Sequence, residues 1–185
     1  MQTRSYTKSS AGLSGIAGAV LFSAMLVPSD ASAEVSANIG AVSNYVWRGV
    51  SQTGDAAAIQ GGVDYAHDSG FYAGTWTSNV DFGDQTSAEL DLYLGYGGEI
   101  EGLAYDLGYV YYAFPDDGGD ADFGEAYGEL GLGPFALGLA VTTNGEADEG
   151  AFTSGDLYYY GGVDLPLEDD FSVGLTLGYY DFADD

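Results

Sequence analysis

After its first 33 residues the chain places apolar side chains at every second position, the period of a β-strand rather than of a helix. The pattern is clearest from Glu89 to Gly97, where Leu90, Leu92, Leu94 and Tyr96 alternate with Glu89, Asp91, Tyr93 and Gly95. It returns in Leu103, Tyr105, Leu107, Tyr109 and Tyr111, in Phe135, Leu137, Leu139 and Val141, and in Phe171, Val173, Leu175, Leu177 and Tyr179. Weaker versions cover Ser36 to Arg48, Ala58 to Ala66, Phe71 to Phe82, Phe123 to Leu132 and Asp156 to Leu165. These segments predict about nine strands, each with one greasy and one wet face. Their length, roughly nine to twelve residues, is what a tilted strand needs to cross a bilayer.

Turn-forming residues separate the segments: Gly54-Asp55, His67 to Gly70, Gly83-Asp84, Gly97-Gly98, Pro115 to Asp122, Asn144 to Gly150 and Pro166 to Asp170. Most of these intervals are short, so consecutive strands pair most simply as antiparallel hairpins in an up-and-down sheet. Two architectures fit. In a transmembrane barrel the apolar face meets lipid and the Gly, Ser, Thr, Asp and Glu face lines the interior. In a soluble sandwich or lipocalin-like barrel the apolar face turns inward and the acids form a solvated exterior.

The N-terminus favours the first. Arg4 and Lys8 precede an apolar stretch from Ala11 to Val27, followed by Ala31-Ser32-Ala33. This is the layout of a secretory signal peptide, expected to be removed before Glu34. The expected organisation is therefore a leader over 1–33 and a single β-barrel domain over 34–185. There is no cysteine, so an exported chain would have no disulfide to staple it.

Composition sharpens the picture. The chain carries 30 Gly, 16 Tyr and 9 Phe. Of its 29 acidic residues only Asp30 lies in the leader, and so do Arg4 and Lys8 of its three basic residues; the span 34–185 keeps 28 acids and Arg48, a formal charge of −27. Such a surface repels phosphate and offers no basic patch, which excludes nucleic acid as a partner. It attracts small cations and suits a saline habitat, where salt screens self-repulsion.

Candidate chemistry is sparse. A serine triad, a cysteine nucleophile or a zinc site needs bases or soft ligands, and after the leader there is no Cys and one histidine, His67, in a turn beside Asp68 and Ser69. An outer-membrane hydrolase built on His67 is the weakest of the readings. The acidic runs Asp116 to Asp122 and Glu146 to Glu149 lack EF-hand spacing and read as solvated loops. No catalytic residue, metal site or cofactor is expected.

The lone cation is the sharpest feature. Read as part of the first strand, with alternation placing it opposite Trp47, Arg48 points into the lumen and pairs with Asp64, Glu89 or Asp91. The alternative is a selectivity residue in a cation-lined pore. Trp47 and Trp76 are candidate interfacial anchors.

Three ordered blocks carry a family resemblance: Ser43 to Gln52 (SNYVWRGVSQ), Ala58 to Tyr65 (AIQGGVDY) and Gly70 to Val80 (GFYAGTWTSNV). Together they resemble the start of the Gcw_chp family of exported Gram-negative bacterial proteins of unknown function. The resemblance implies an outer-membrane β-barrel and supplies no catalytic residues. Family members look longer, so the resemblance implies further strands beyond Asp185, and an odd count near nine points the same way, because bacterial barrels hold even numbers. The sequence thus predicts an all-β, antiparallel up-and-down transmembrane barrel of about 8–10 strands with a shortened C-terminus. It would lie in the cell outer membrane with lipid as its neighbour, acting as a passive, narrow cation-preferring pore or a structural wall protein. The rival is a soluble periplasmic or secreted β-sheet binding module. Neither ligand nor oligomeric state is legible.

Overall fold

The computed structural model describes residues 22–24, 33–116, 121–145, 151–167 and 171–183. Among them there is no helix, and the strands form one antiparallel sheet with a small hairpin beside it. In chain order they are β1 (Phe22–Ala24), β2 (Ala33–Val42), β3 (Val46–Trp47), β4 (Val50–Ser51), β5 (Ala58–His67), β6 (Phe71–Asn79), β7 (Ala88–Ile100), β8 (Leu103–Ala113), β9 (Phe123–Leu132), β10 (Phe135–Gly145), β11 (Leu157–Pro166) and β12 (Ser172–Asp181). The short β3 and β4 pair only with each other, and in the main sheet each strand pairs with the next along the chain, β2 with β5. The all-β, antiparallel expectation therefore holds, with nine long strands from β2 onward. Within the span expected to be the leader, β1 pairs with β2, Phe22 opposite Ile39. No ladder joins β12 to β1 or β2 among the described residues, so the sheet is not closed by hydrogen bonds.

Alternation fixes which side each residue takes, and the result is inverted relative to a soluble domain. The large apolar residues lie outside: Ile39, Leu137 and Leu177 are 70 %, 69 % and 72 % exposed, and Leu92, Leu94, Leu107, Leu130 and Leu175 share that face. The other face holds the buried polar groups Gln60, Ser78, Glu89, Asp91, Asp106, Glu125 and Thr142. Small residues on this concave side let tyrosines lie against the wall; a Cβ added at Gly138 would come within 2.1 Å of the Tyr160 ring.

The sheet is strongly curled. Laid flat, β2 and β12 would be about 38 Å apart at the usual spacing of ~4.8 Å per strand. Yet Arg48, in the connection just after β2, donates a hydrogen bond to the Tyr180 hydroxyl on β12. Tyr72 on β6 likewise meets Tyr127 on β9, hydroxyl to hydroxyl at 2.5 Å.

The connections alternate in length. Residues 43–57, 80–87, 114–122 and 146–156 link strands at one end, whereas 68–70, 101–102, 133–134 and 167–171 link them at the other. At the long-loop end the interior is filled by Tyr45, Ala58, Val80, Tyr112, Phe114 and Phe123, with Val42, Trp47, Trp76, Val110 and Phe152 packed against them.

The expected first strand, Ser36 to Arg48, is too long. β2 stops at Val42, the chain bends at Ser43 and Asn44, and Arg48 lies in a turn. Asn44 accounts for the break: its carboxamide oxygen accepts from Ser51 Oγ at 2.7 Å and from Thr53 Oγ1 at 3.2 Å, and its nitrogen donates to Asp55 at 2.9 Å. These bonds tie the segment into a compact loop that cannot continue the ladder.

Candidate functional site

The long-loop end of the interior is organised around Arg48. Trp47 and Val50 pair across Arg48 and Gly49, whose φ angles are 48° and 85°. Two successive positive values define the two-residue turn that matches strand twist, a turn that prefers Asn-Gly. Gly49 suits it. Arginine there costs roughly 1–2 kcal/mol, so the side chain must recover that cost elsewhere.

It does so through a closed set of contacts. The guanidinium grips the Glu125 carboxylate with both terminal nitrogens, Nη1 donating to Oε1 at 2.8 Å and Nη2 to Oε2 at 2.6 Å. Its central carbon lies 4.1 Å from the centre of the Trp47 ring and 4.2 Å from that of Tyr158. Glu125 is 1 % exposed and also accepts from the Tyr112 hydroxyl at 3.4 Å. Planar forked donors suit this arrangement as an ammonium would not. Burial pulls the Arg48 value down, but the hydrogen bonds and charge of Glu125 outweigh it and leave the guanidinium more firmly protonated than usual.

Tyr45 anchors the same segment to β6 and β7. It packs edge-on to Trp76, centroids 5.3 Å apart, and donates to Glu89 Oε1 at 3.2 Å. Burial, aided by the charge of Glu89, pushes its phenol up. Aromatic rings join the two anchors: Trp47 lies 5.5 Å from Tyr112 and 5.6 Å from Phe152, and Phe123 stacks on Phe152 at 4.2 Å. Outside this plug, Ser87 donates from backbone and hydroxyl to Asp116, and these bonds lower the exposed carboxyl.

The residues singled out from sequence do not all gather here. Arg48 points inward, but from a hairpin turn, and its carboxylate is Glu125, far along the chain, rather than Asp64, Glu89 or Asp91. Its guanidinium lies over Trp47 instead of on the opposite face. Trp47 and Trp76 are half-buried in the interior cluster and are not interfacial anchors, because both are directed to the concave side. Asp64, Glu89 and Asp91 do face inward: Asp64 accepts from Tyr93, Glu89 from Tyr45, and Asp91 sits beside Glu89. His67 bonds only locally, its Nδ1 2.8 Å from Ser69 Oγ. Of the acidic loops considered for calcium, residues 117–120 and 146–150 lie outside the described residues, and no group of three or more metal-ligating side chains occurs among the described ones.

Sequence reasoning missed Glu125, Tyr158 and Tyr180. Nothing local marks Glu125 among 29 acids, but a residue-Gly pair between Val46-Trp47 and Val50-Ser51 is a two-residue hairpin signal that could have moved Arg48 off the first strand.

The family described as "Bacterial protein of unknown function (Gcw_chp)" matches residues 27–185. The chain belongs to this family. All the Gcw_chp interior contacts around Arg48 and Tyr45 fall within the matched span. No curated protein and no solved structure matches the chain.

Proposed function

We propose that this Gcw_chp protein is a non-enzymatic outer-membrane β-barrel, exported by a leader removed before Glu34, whose passive role is that of a wall protein or a narrow cation-preferring conduit held shut at one end. The sidedness of the sheet carries the reading: leucines and isoleucines stand outward in strand after strand while acids are buried within. In water so large an apolar surface would be covered by a partner or would aggregate, whereas in lipid it is the ordinary exterior. Alternation of short turns with long loops supports the same assignment, since outer-membrane barrels keep short turns on the periplasmic side. The plug built on Arg48, Trp47 and Tyr45 favours a lumen that is occluded at rest.

Cell fractionation with a heat-modifiability gel tests the environment. Recovery with outer membranes and a mobility change on boiling are expected; release by osmotic shock with no such change would establish the soluble alternative. Planar-bilayer conductance tests the role. Little steady current is expected from the intact chain, and a cation-selective current from one lacking 44–55; an open or anion-selective intact chain would overturn the reading.

A further inference from the structure

The Arg48 pair uses the one cation that lies beyond the expected leader, which leaves a second buried acidic pair to be accounted for. Glu89 and Asp91, two apart on β7, are neighbours on the concave face and are 3 % and 9 % exposed. Tyr45 donates to Glu89 Oε1. Asp91 Oδ1, however, is buried and receives no N–H or O–H. Two adjacent buried carboxylates with a single donor between them repel, and like charges in so dry a place do not both ionise.

The surrounding elements offer no countercharge. From the 43–57 connection, Arg48 is committed to Glu125 and Tyr45 already donates. On β8 Tyr112 stands opposite Asp91 and directs its hydroxyl to Glu125. On β6 the opposing residues are Ser78 and Trp76. Tyr93, next along β7, donates to Asp64 of β5. Because the accessible area of Asp91 Oδ1 is below 1 Å², no water-sized species touches it. A metal ion would need several oxygen ligands, and no group of three or more metal-ligating side chains occurs among the described residues.

We propose that Glu89 and Asp91 hold one proton between them at neutral pH and act as an alkaline-sensitive latch for the plug. The chain then runs from the Asp91 carboxylic acid to Glu89 and from the Tyr45 hydroxyl to Glu89, so that one negative charge accepts two hydrogen bonds. Loss of the proton puts two charges side by side beneath Tyr45 and loosens the segment that Tyr45 anchors. This inference rests on the inward placement of β7 and not on what covers the outer face, so it stands or falls separately from the membrane assignment.

Infrared spectroscopy of the purified full chain, in detergent or in buffer, tests it directly. A protonated-carboxyl stretch is expected at neutral pH and should disappear in both Asp91→Asn and Glu89→Gln. Thermal unfolding as a function of pH gives a second readout. The folded state binds the extra proton, so stability falls as pH rises above the ordinary carboxyl range, with the unfolding constant gaining up to tenfold per pH unit. Asp91→Asn, which keeps the shape and a donor, should remove that slope. Absence of the stretch in the parent chain would overturn the proposal, as would its survival in either variant. So would a stability that depends on added divalent cation and is abolished by a chelator. If Asp91→Asn fails to fold, the parent spectrum and Glu89→Gln still decide.

Discussion

The two ends of the curled sheet solve the same problem, acids on a concave face, in different ways. At the long-loop end one acid takes a charged partner. Glu125 is gripped by a guanidinium clamped between aromatic rings, and the connection 43–57 folds inward to supply it. Toward the short-turn end the acids take neutral partners: Tyr72 donates to Asp106 at 2.5 Å, Tyr160 to Glu129 at 2.6 Å, and Tyr93 to Asp64. These partners are half-buried and belong to the strands themselves. A guanidinium pair, with one tyrosine beside it, fastens the inward segment, whereas along the strands hydroxyl donors alone meet the acids.

Breaking the charged end should cost most. Arg48→Ala strands a carboxylate that is 1 % exposed, and removal of one partner of a buried pair costs about 3–5 kcal/mol. Denaturant unfolding and the boiled-versus-unboiled gel shift should both register it. Replacing the two together, Arg48→Met with Glu125→Leu, should recover most of the loss, because no charge is then left bare. If the double variant is as unstable as the single, the ring contacts of the guanidinium matter more than its charge.

At the other end the expected effects are smaller. Tyr72→Phe leaves Asp106 without that donor, a loss of about 1–3 kcal/mol by unfolding, and the plug should stay seated, so Trp47 fluorescence should be unchanged. A loss equal to that of Arg48→Ala would erase the distinction between the ends. Smallest is Gly138→Ala. Its Cβ would strike the Tyr160 ring, which must swing away from Glu129, a change of about 1 kcal/mol because a side chain rather than backbone yields. An effect above that of Tyr72→Phe would mean the tyrosines are packed too tightly to move.

Much of the wall was legible in the sequence. Leu90 to Tyr96, Phe135 to Val141 and Val173 to Tyr179 alternate so regularly that strand, register and face follow from period alone. The site was less so. Val46, Trp47 and Arg48 continue the alternation of the first strand, and only the side-chain bonds of Asn44 and the turn at Gly49 end it. Glu125 could not be chosen from its neighbours, because its pairing is decided by how far the sheet curls, a property of all nine strands. Trp47 and Trp76 resembled membrane anchors because aromatic residues near strand ends often are; inside, the same rings fill the plug.

The bond from Arg48 to Tyr180 spans 132 residues of sequence. A contact so distant along the chain returns nothing until the intervening loop has been closed, and that entropy must be spent first. The guanidinium finds its acid on β9 and its last rings on β11 and β12, strands that the curl of the sheet brings round to the connection after β2. The cost of the left-handed turn at Arg48 is therefore offset only where β9, β11 and β12 lie beside it.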